Sequence, residues 1–139
     1  MISIIIPVIR PKKAKRCMDA MMYDPNINSI PCEIVTAEDS QGVGCPAMVK
    51  KLTDRARGDM IMFLGDDTIP QPGFLNAAII AMDKLPDGWG VVGLNTQDDR
   101  PGVGFNDHAH WMASKKMLKH IPEANFSARN INTAMATMS

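Results

Sequence analysis

The sequence predicts an α/β fold, a three-layer α/β/α sandwich with a mainly parallel sheet. Three observations predict it. Residues 3–8 and 60–64 are short apolar runs without polar alternation, as strands buried on both faces are. Between such runs lie stretches whose apolar residues recur at helical spacing. The order strand, helix is repeated from the N-terminus to residue 85, which argues for parallel strands joined by crossover helices.

Each element has its own signals. The first strand, Ser-Ile-Ile-Ile-Pro-Val at 3–8, is rich in β-branched residues, and Pro7 belongs at its end because proline cannot serve a central ladder. Pro11 suits the first turn of a helix, and Ala14, Met18, Met21 and Met22 form its apolar stripe. Lys12, Lys13, Lys15 and Arg16 read as the solvated face of that helix. Asp24-Pro25-Asn26 breaks it. A second strand is expected over 32–37, running into Glu38-Asp39, then a loop over 40–44. Pro46 is expected to open a second helix with Met48, Val49, Leu52 and Ala56 inside, stopped by Gly58. The third strand runs over 60–64 into Gly65-Asp66-Asp67. Pro72 is expected to open a third helix that buries Phe74, Leu75, Ala78, Ile79 and Met82. Beyond Gly88 the reading is a strand over 89–94, a loop over 95–107, a short strand over 109–113 and a short helix over 114–121 capped by Ser114. One domain over 1–121 follows, with a tail over 122–139 in which periodicity fades and which is either disordered or packed on a partner.

Composition narrows the function. The chain has 139 residues, 45% of them hydrophobic, enough for one domain with a real core. Lys and Arg balance Asp and Glu at 15 each, which speaks against general nucleic-acid or membrane affinity. No apolar run reaches the roughly 20 residues of a membrane span, and the N-terminus lacks the basic lead of a signal peptide. Three widely spaced cysteines, Cys17, Cys32 and Cys45, form no disulfide framework, so a cytoplasmic location is expected. The twelve methionines read as core filler.

Chemistry concentrates at strand ends. Asp66 and Asp67 stand at the carboxyl end of a buried strand, where open α/β sheets place ligands. Adjacent carboxylates repel, and they are comfortable either in solvent, as a turn pair, or around a cation that neutralises them. Asp107, His108 and His110 are candidate acid, base or metal groups, since His-x-His on a strand shares one face. Trp111 reads as core rather than as a sugar-stacking ring, and Arg100 as part of a charged loop tip with Asp98 and Asp99. Cys45, beside a helix start that lowers thiol pKa, lacks the partners of a catalytic nucleophile.

Three segments together resemble family 2 glycosyltransferases of the GT-A fold. They are Ile4-Ile5-Ile6-Pro7-Val8, Glu33-Ile34-Val35-Thr36-Ala37-Glu38-Asp39-Ser40, and Ala56-Arg57-Gly58-Asp59 through Leu64-Gly65-Asp66-Asp67. The last is similar to the family's Asp-x-Asp motif and its lead-in. The likeness covers roughly the first 85 residues and suggests a short or truncated member. It implies transfer of a sugar from a nucleotide-diphosphate donor to an acceptor hydroxyl, assisted by Mn²⁺ or Mg²⁺. Pro7, Val8, Glu38, Asp39 and Asp66 would bind the nucleotide, and Asp67 the metal. Asp107, His108 and His110 are the candidates for the catalytic base. Departures are Gly65 in place of the first Asp, Glu38 in place of an Asp, and no acidic signature after Glu123. They keep two other readings open: a non-catalytic nucleotide-sugar-binding module or subunit of a larger transferase, and a structural domain with a degenerate site. A homo-oligomer or a partner chain is compatible with each.

Overall fold

The structure, a computed structural model, describes residues 1–85, 91–97, 105–118 and 135–137, with the backbone alone at 95–97, 105–109 and 135–137. Strands are β1 (Ile2–Val8), β2 (Cys32–Glu38), β3 (Met60–Phe63), β4 (Val91–Gln97), β5 (Phe105–Ser114) and β6 (Met135–Thr137). Helices are α1 (Pro11–Met21), α2 (Cys45–Arg55), α3 (Phe74–Asp83) and α4 (Lys115–Leu118). They build one six-stranded sheet in the order β2-β1-β3-β5-β4-β6. β1 lies parallel to both β2 and β3, and β4 to β6, whereas β5 runs antiparallel to β3 and β4. The sheet is therefore mainly parallel, as its sequence predicts.

Alternation along β1 divides the core. Ile2, Ile4, Ile6 and Val8 pack with Ala14, Cys17 and Met21 of α1 and Leu75 and Ala78 of α3. Ile5 turns to the other face, against Val49 and Leu52 of α2, with Ile61, Phe63, Trp111 and Leu118. Successive side chains of a strand face opposite ways, so a strand apolar at every position needs a helix layer on each side. That gives three layers.

Boundaries shift where side chains decide them. α3 begins at Phe74 rather than at Pro72, because Gly73 donates its amide to Asp24 Oδ2 at 2.8 Å and serves as the N-cap. Asp24 Oδ1 also accepts the Asn26 amide at 2.8 Å, so one buried carboxylate ties the end of α1 to the start of α3. The stretch expected as a loop over 95–107 is largely strand at its ends: β4 continues to Gln97 and β5 starts at Phe105. A register shift between Leu94 and Thr96 interrupts their ladder and masks the strand pattern. Ser114 caps α4 as expected, its hydroxyl accepting the Met117 amide at 3.1 Å. β6 comes from the segment that lacks periodicity and extends the sheet beside β4.

At the amino end of the sheet, β3 approaches β1 through Gly58. A Cβ there would stand 2.5 Å from Met1 O and 2.6 Å from Ser3 Oγ. The Gly58 amide donates to that Ser3 hydroxyl at 2.8 Å, and the hydroxyl donates to Glu33 at 2.7 Å. Gly58 is thus required by close packing and not as the stop of α2, which ends at Arg55 with an extended Ala56 as its C-cap.

Candidate functional site

The carboxyl ends of β1, β2 and β3 open on one edge of the sheet, and the turn after β3 forms its centre. Leu64 still pairs with β1, its amide donating to Ile5 O at 3.1 Å. The chain then turns, and the two acids part. Asp66 is 2% exposed and points inward. Its Oδ2 accepts the amides of Ile9 at 2.9 Å and Arg10 at 2.7 Å. Its Oδ1 accepts Arg10 Nε at 2.9 Å and Nη2 at 2.6 Å. Asp67 is exposed, with Oδ2 at 3.3 Å from Arg10 Nη1. One guanidinium therefore spans both carboxylates.

The electrostatics follow from those contacts. Burial pushes the Asp66 carboxyl up, but hydrogen bonds from the Arg10 side chain and from the Ile9 and Arg10 amides outweigh it, and its pKa ends below the ordinary value. Arg10 is held further above its ordinary range, chiefly by the hydrogen bond to Asp66. Arg10, Asp66 and Asp67 together carry one net negative charge at neutral pH. Sequence reasoning missed Arg10, whose signal is only its place between the end of β1 and Pro11. Asp66 works as the anchor that ties the turn after β3 to the start of α1.

His110 lies on β5 beside this turn. It is 6% exposed, with Nε2 at 2.6 Å from Thr68 Oγ1 and its ring stacked on Phe63 at 6.1 Å. Burial drives its pKa down to about 4, against the opposing pull of Asp67, so the imidazole is neutral at pH 7. The same ring explains Gly65. A Cβ at Gly65 would sit 3.1 Å from His110 Nε2 and 3.1 Å from Asp67 Oδ1. The place of the missing side chain is thus crowded by the imidazole and by the next carboxylate.

At the end of β2, Glu38 is exposed. Asp39 donates its amide to Val8 O at 2.8 Å, and its carboxylate accepts the amides of Val43 at 2.8 Å and Gly44 at 3.0 Å. The Gly44 and Val43 bonds hold its pKa low. Asp39 therefore shapes the loop before α2. Pro7 is half-buried and Val8 buried, at the end of β1. Asp107 and His108 lie on the β5 backbone, but their side chains, and all of residues 98–100, fall outside what the structure describes. Trp111 is fully buried, so it is core, as its sequence suggests. The Cys45 thiol sits above its usual pKa, raised by lost solvation and then by Asp66, contrary to the lowering expected from a helix start. No helix among the described residues is long and apolar enough to cross a membrane.

Among the described residues no group of three His, Cys, Asp or Glu side chains could hold a metal. What the turn offers is a single exposed carboxylate, Asp67. That suits Mg²⁺ or Mn²⁺ arriving with phosphate, which such ions accept with one or two carboxylates, and does not suit a resident ion in an all-protein cage.

No family model matches the sequence, and no curated protein matches it. Solved structures do. S. aureus TarS 1-349 superposes with a TM-score of 0.71 at 13% identity, covering 99% of this chain and 58% of that one. Glucosyl-3-phosphoglycerate synthase from Mycobacterium tuberculosis, in complex with UDP, gives 0.65 at 14% identity, covering 99% of this chain and 69% of that one. CMP:2-keto-3-deoxy-manno-octonic acid synthetase complexed with CTP gives 0.61 at 9% identity, covering 98% and 88%. This chain thus spans little more than half the length of the TarS fragment. At such identities the likeness speaks for architecture, and the chain has the GT-A fold of nucleotide-sugar transferases.

Proposed function

We propose that the protein transfers a sugar from a nucleotide-diphosphate donor to an acceptor hydroxyl, with Mn²⁺ or Mg²⁺ accompanying the donor. One observation carries the reading: Asp66 is consumed inside the fold, while Asp67 presents its carboxylate to solvent at the carboxyl end of β3. Similar proteins support it, since TarS has been solved with UDP-GlcNAc and glucosyl-3-phosphoglycerate synthase with Mn²⁺ and UDP.

Charge argues for the metal. The Arg10, Asp66 and Asp67 cluster carries one net negative charge, so a diphosphate approaching alone meets repulsion. A divalent ion on Asp67 reverses that sign and, when bound, would neutralise the departing diphosphate. Pro7 and Val8 would line the nucleoside from β1. Glu38, exposed, would reach ribose or base, with Asp39 keeping the neighbouring loop in shape. In the reaction the acceptor oxygen bonds to the anomeric carbon, the bond to the diphosphate breaks, and a base takes the hydroxyl proton. Asp107 and His108 are the proposed bases. His110, buried and bonded to Thr68, is better suited to fixing the turn that carries Asp67.

Calorimetry with UDP and GDP, with and without Mn²⁺, on the wild type and Asp67→Ala tests the reading. Binding that needs Mn²⁺ and disappears in the variant is expected. Equal binding by the two proteins overturns the metal assignment. Binding without turnover of UDP- or GDP-sugars would favour the non-catalytic module.

A further inference from the structure

We propose that Arg10 is the protein's own cationic contact to the diphosphate, held in place by Asp66, and that the pair selects nucleoside diphosphates over monophosphates. This rests on the nucleotide-binding reading above.

The guanidinium is divided between two tasks. Nε and Nη2 are fixed on Asp66 Oδ1, and the backbone amide of the same residue is fixed on Oδ2. Asp66 is 2% exposed and accepts hydrogen bonds from two backbone amides and from Arg10 Nε and Nη2, so this half of the fork is held rigidly. Nη1 is the nitrogen left over. It emerges from the anchored fork toward Asp67 at 3.3 Å, on a side chain 43% exposed. The contact to Asp67 is solvent-exposed on both partners and therefore weak, on the order of 1 kcal/mol or less. A phosphate brought to Asp67 by its divalent ion would present an oxygen beside Nη1, and the contact to Asp67 exchanges at little cost.

Gly65 strengthens the case. Position 65, a glycine, supplies no ligand, and His110 Nε2 and Asp67 Oδ1 stand close to the place its Cβ would take. Beside Asp67, Arg10 is then the charged group that the turn directs to the cleft. Lysine could neutralise Asp66 but could not do both, since its single ammonium lacks the planar fork.

The experiment compares UDP with UMP, and GDP with GMP, by calorimetry in Mn²⁺ on the wild type, Arg10→Lys and Asp66→Asn. The expected result is a diphosphate-to-monophosphate affinity ratio that falls at least tenfold in Arg10→Lys, with monophosphate affinity changed less than twofold. Asp66→Asn shifts the ratio the same way. A ratio unchanged within twofold in a folded Arg10→Lys overturns the proposal and leaves the nucleotide-binding reading intact. A wild type that binds none of the four overturns both. Should the variants not fold, side-chain ¹⁵N NMR of the unaltered chain decides. The Arg10 signals shift with UDP or GDP and stay in place with the monophosphates; signals that ignore the diphosphates overturn the proposal.

Discussion

Lowering the pH tests the buried His110 directly. Its folded pKa is about 4 against an ordinary value of 6.5. The depressed value means that the fold favours the neutral ring. Between pH 6.5 and 4 the unfolded chain therefore binds a proton that the folded chain does not. Stability rises with pH across this window, so the contribution is full above 6.5 and is lost as pH falls. Each pH unit within the window is worth about 1.4 kcal/mol, which gives about 2 kcal/mol by pH 5 and about 3 kcal/mol in all. Urea unfolding of the wild type and His110→Gln at pH 7, 6, 5 and 4.5 isolates it, because the other titrating groups are common to both. The variant is expected to be the less stable chain at pH 7, having lost the stacking on Phe63, and the gap should close or invert by about 2 kcal/mol at pH 5. A gap that is constant from pH 7 to pH 5 would refute the burial argument and return His110 to the candidate bases.

Three other perturbations follow from the packing. Gly58→Ala forces a Cβ against Met1 O and Ser3, backbone that cannot swing away; a loss of about 1–3 kcal/mol or more is expected in urea unfolding. Asp24→Ala strips the Gly73 and Asn26 amides of their acceptor, costing about 1–3 kcal/mol, with Asp24→Asn milder. Trp111→Ala removes a fully buried ring and should lower stability by about 3–5 kcal/mol; a change confined to sugar affinity would contradict its place in the core.

The sheet was legible wherever burial on both faces wrote an unbroken apolar run, as in β1 and β3. It was hidden where a ladder shifts register, as between Leu94 and Thr96, because a bulge breaks the period that signals a strand. Proline marked the starts of α1 and α2 correctly but misplaced that of α3. Pro72 looks like a helix opener, but the capping contact belongs to Gly73 and a buried aspartate 49 positions away in sequence. Such a contact leaves no local trace. The site divides along the same line. Asp67 could be read from the end of an apolar strand, whereas Arg10 could not, since its partnership with Asp66 spans 56 positions.

The pair Asp66-Asp67 looks symmetric in sequence and is not so in space. Had both carboxylates faced solvent, water would have screened their repulsion and left two equivalent ligands for a cation. Instead Asp66 is neutralised from within by Arg10 and two backbone amides. Asp67 keeps its charge and borrows only the outer edge of the same guanidinium. Gly65, which breaks the Asp-x-Asp pattern, belongs to this solution. A carboxylate there would meet His110 and would add a third negative charge to a cluster that has one cation. The glycine keeps the turn close to β5, and under the proposed function metal binding would fall on one carboxylate and on the phosphates that come with the donor. A site so built should bind its metal and its nucleotide together and neither well alone. Calorimetric titration of Mn²⁺ into the free protein should accordingly give weak binding that tightens when UDP or GDP is present. Tight Mn²⁺ binding without nucleotide would refute this division of charge.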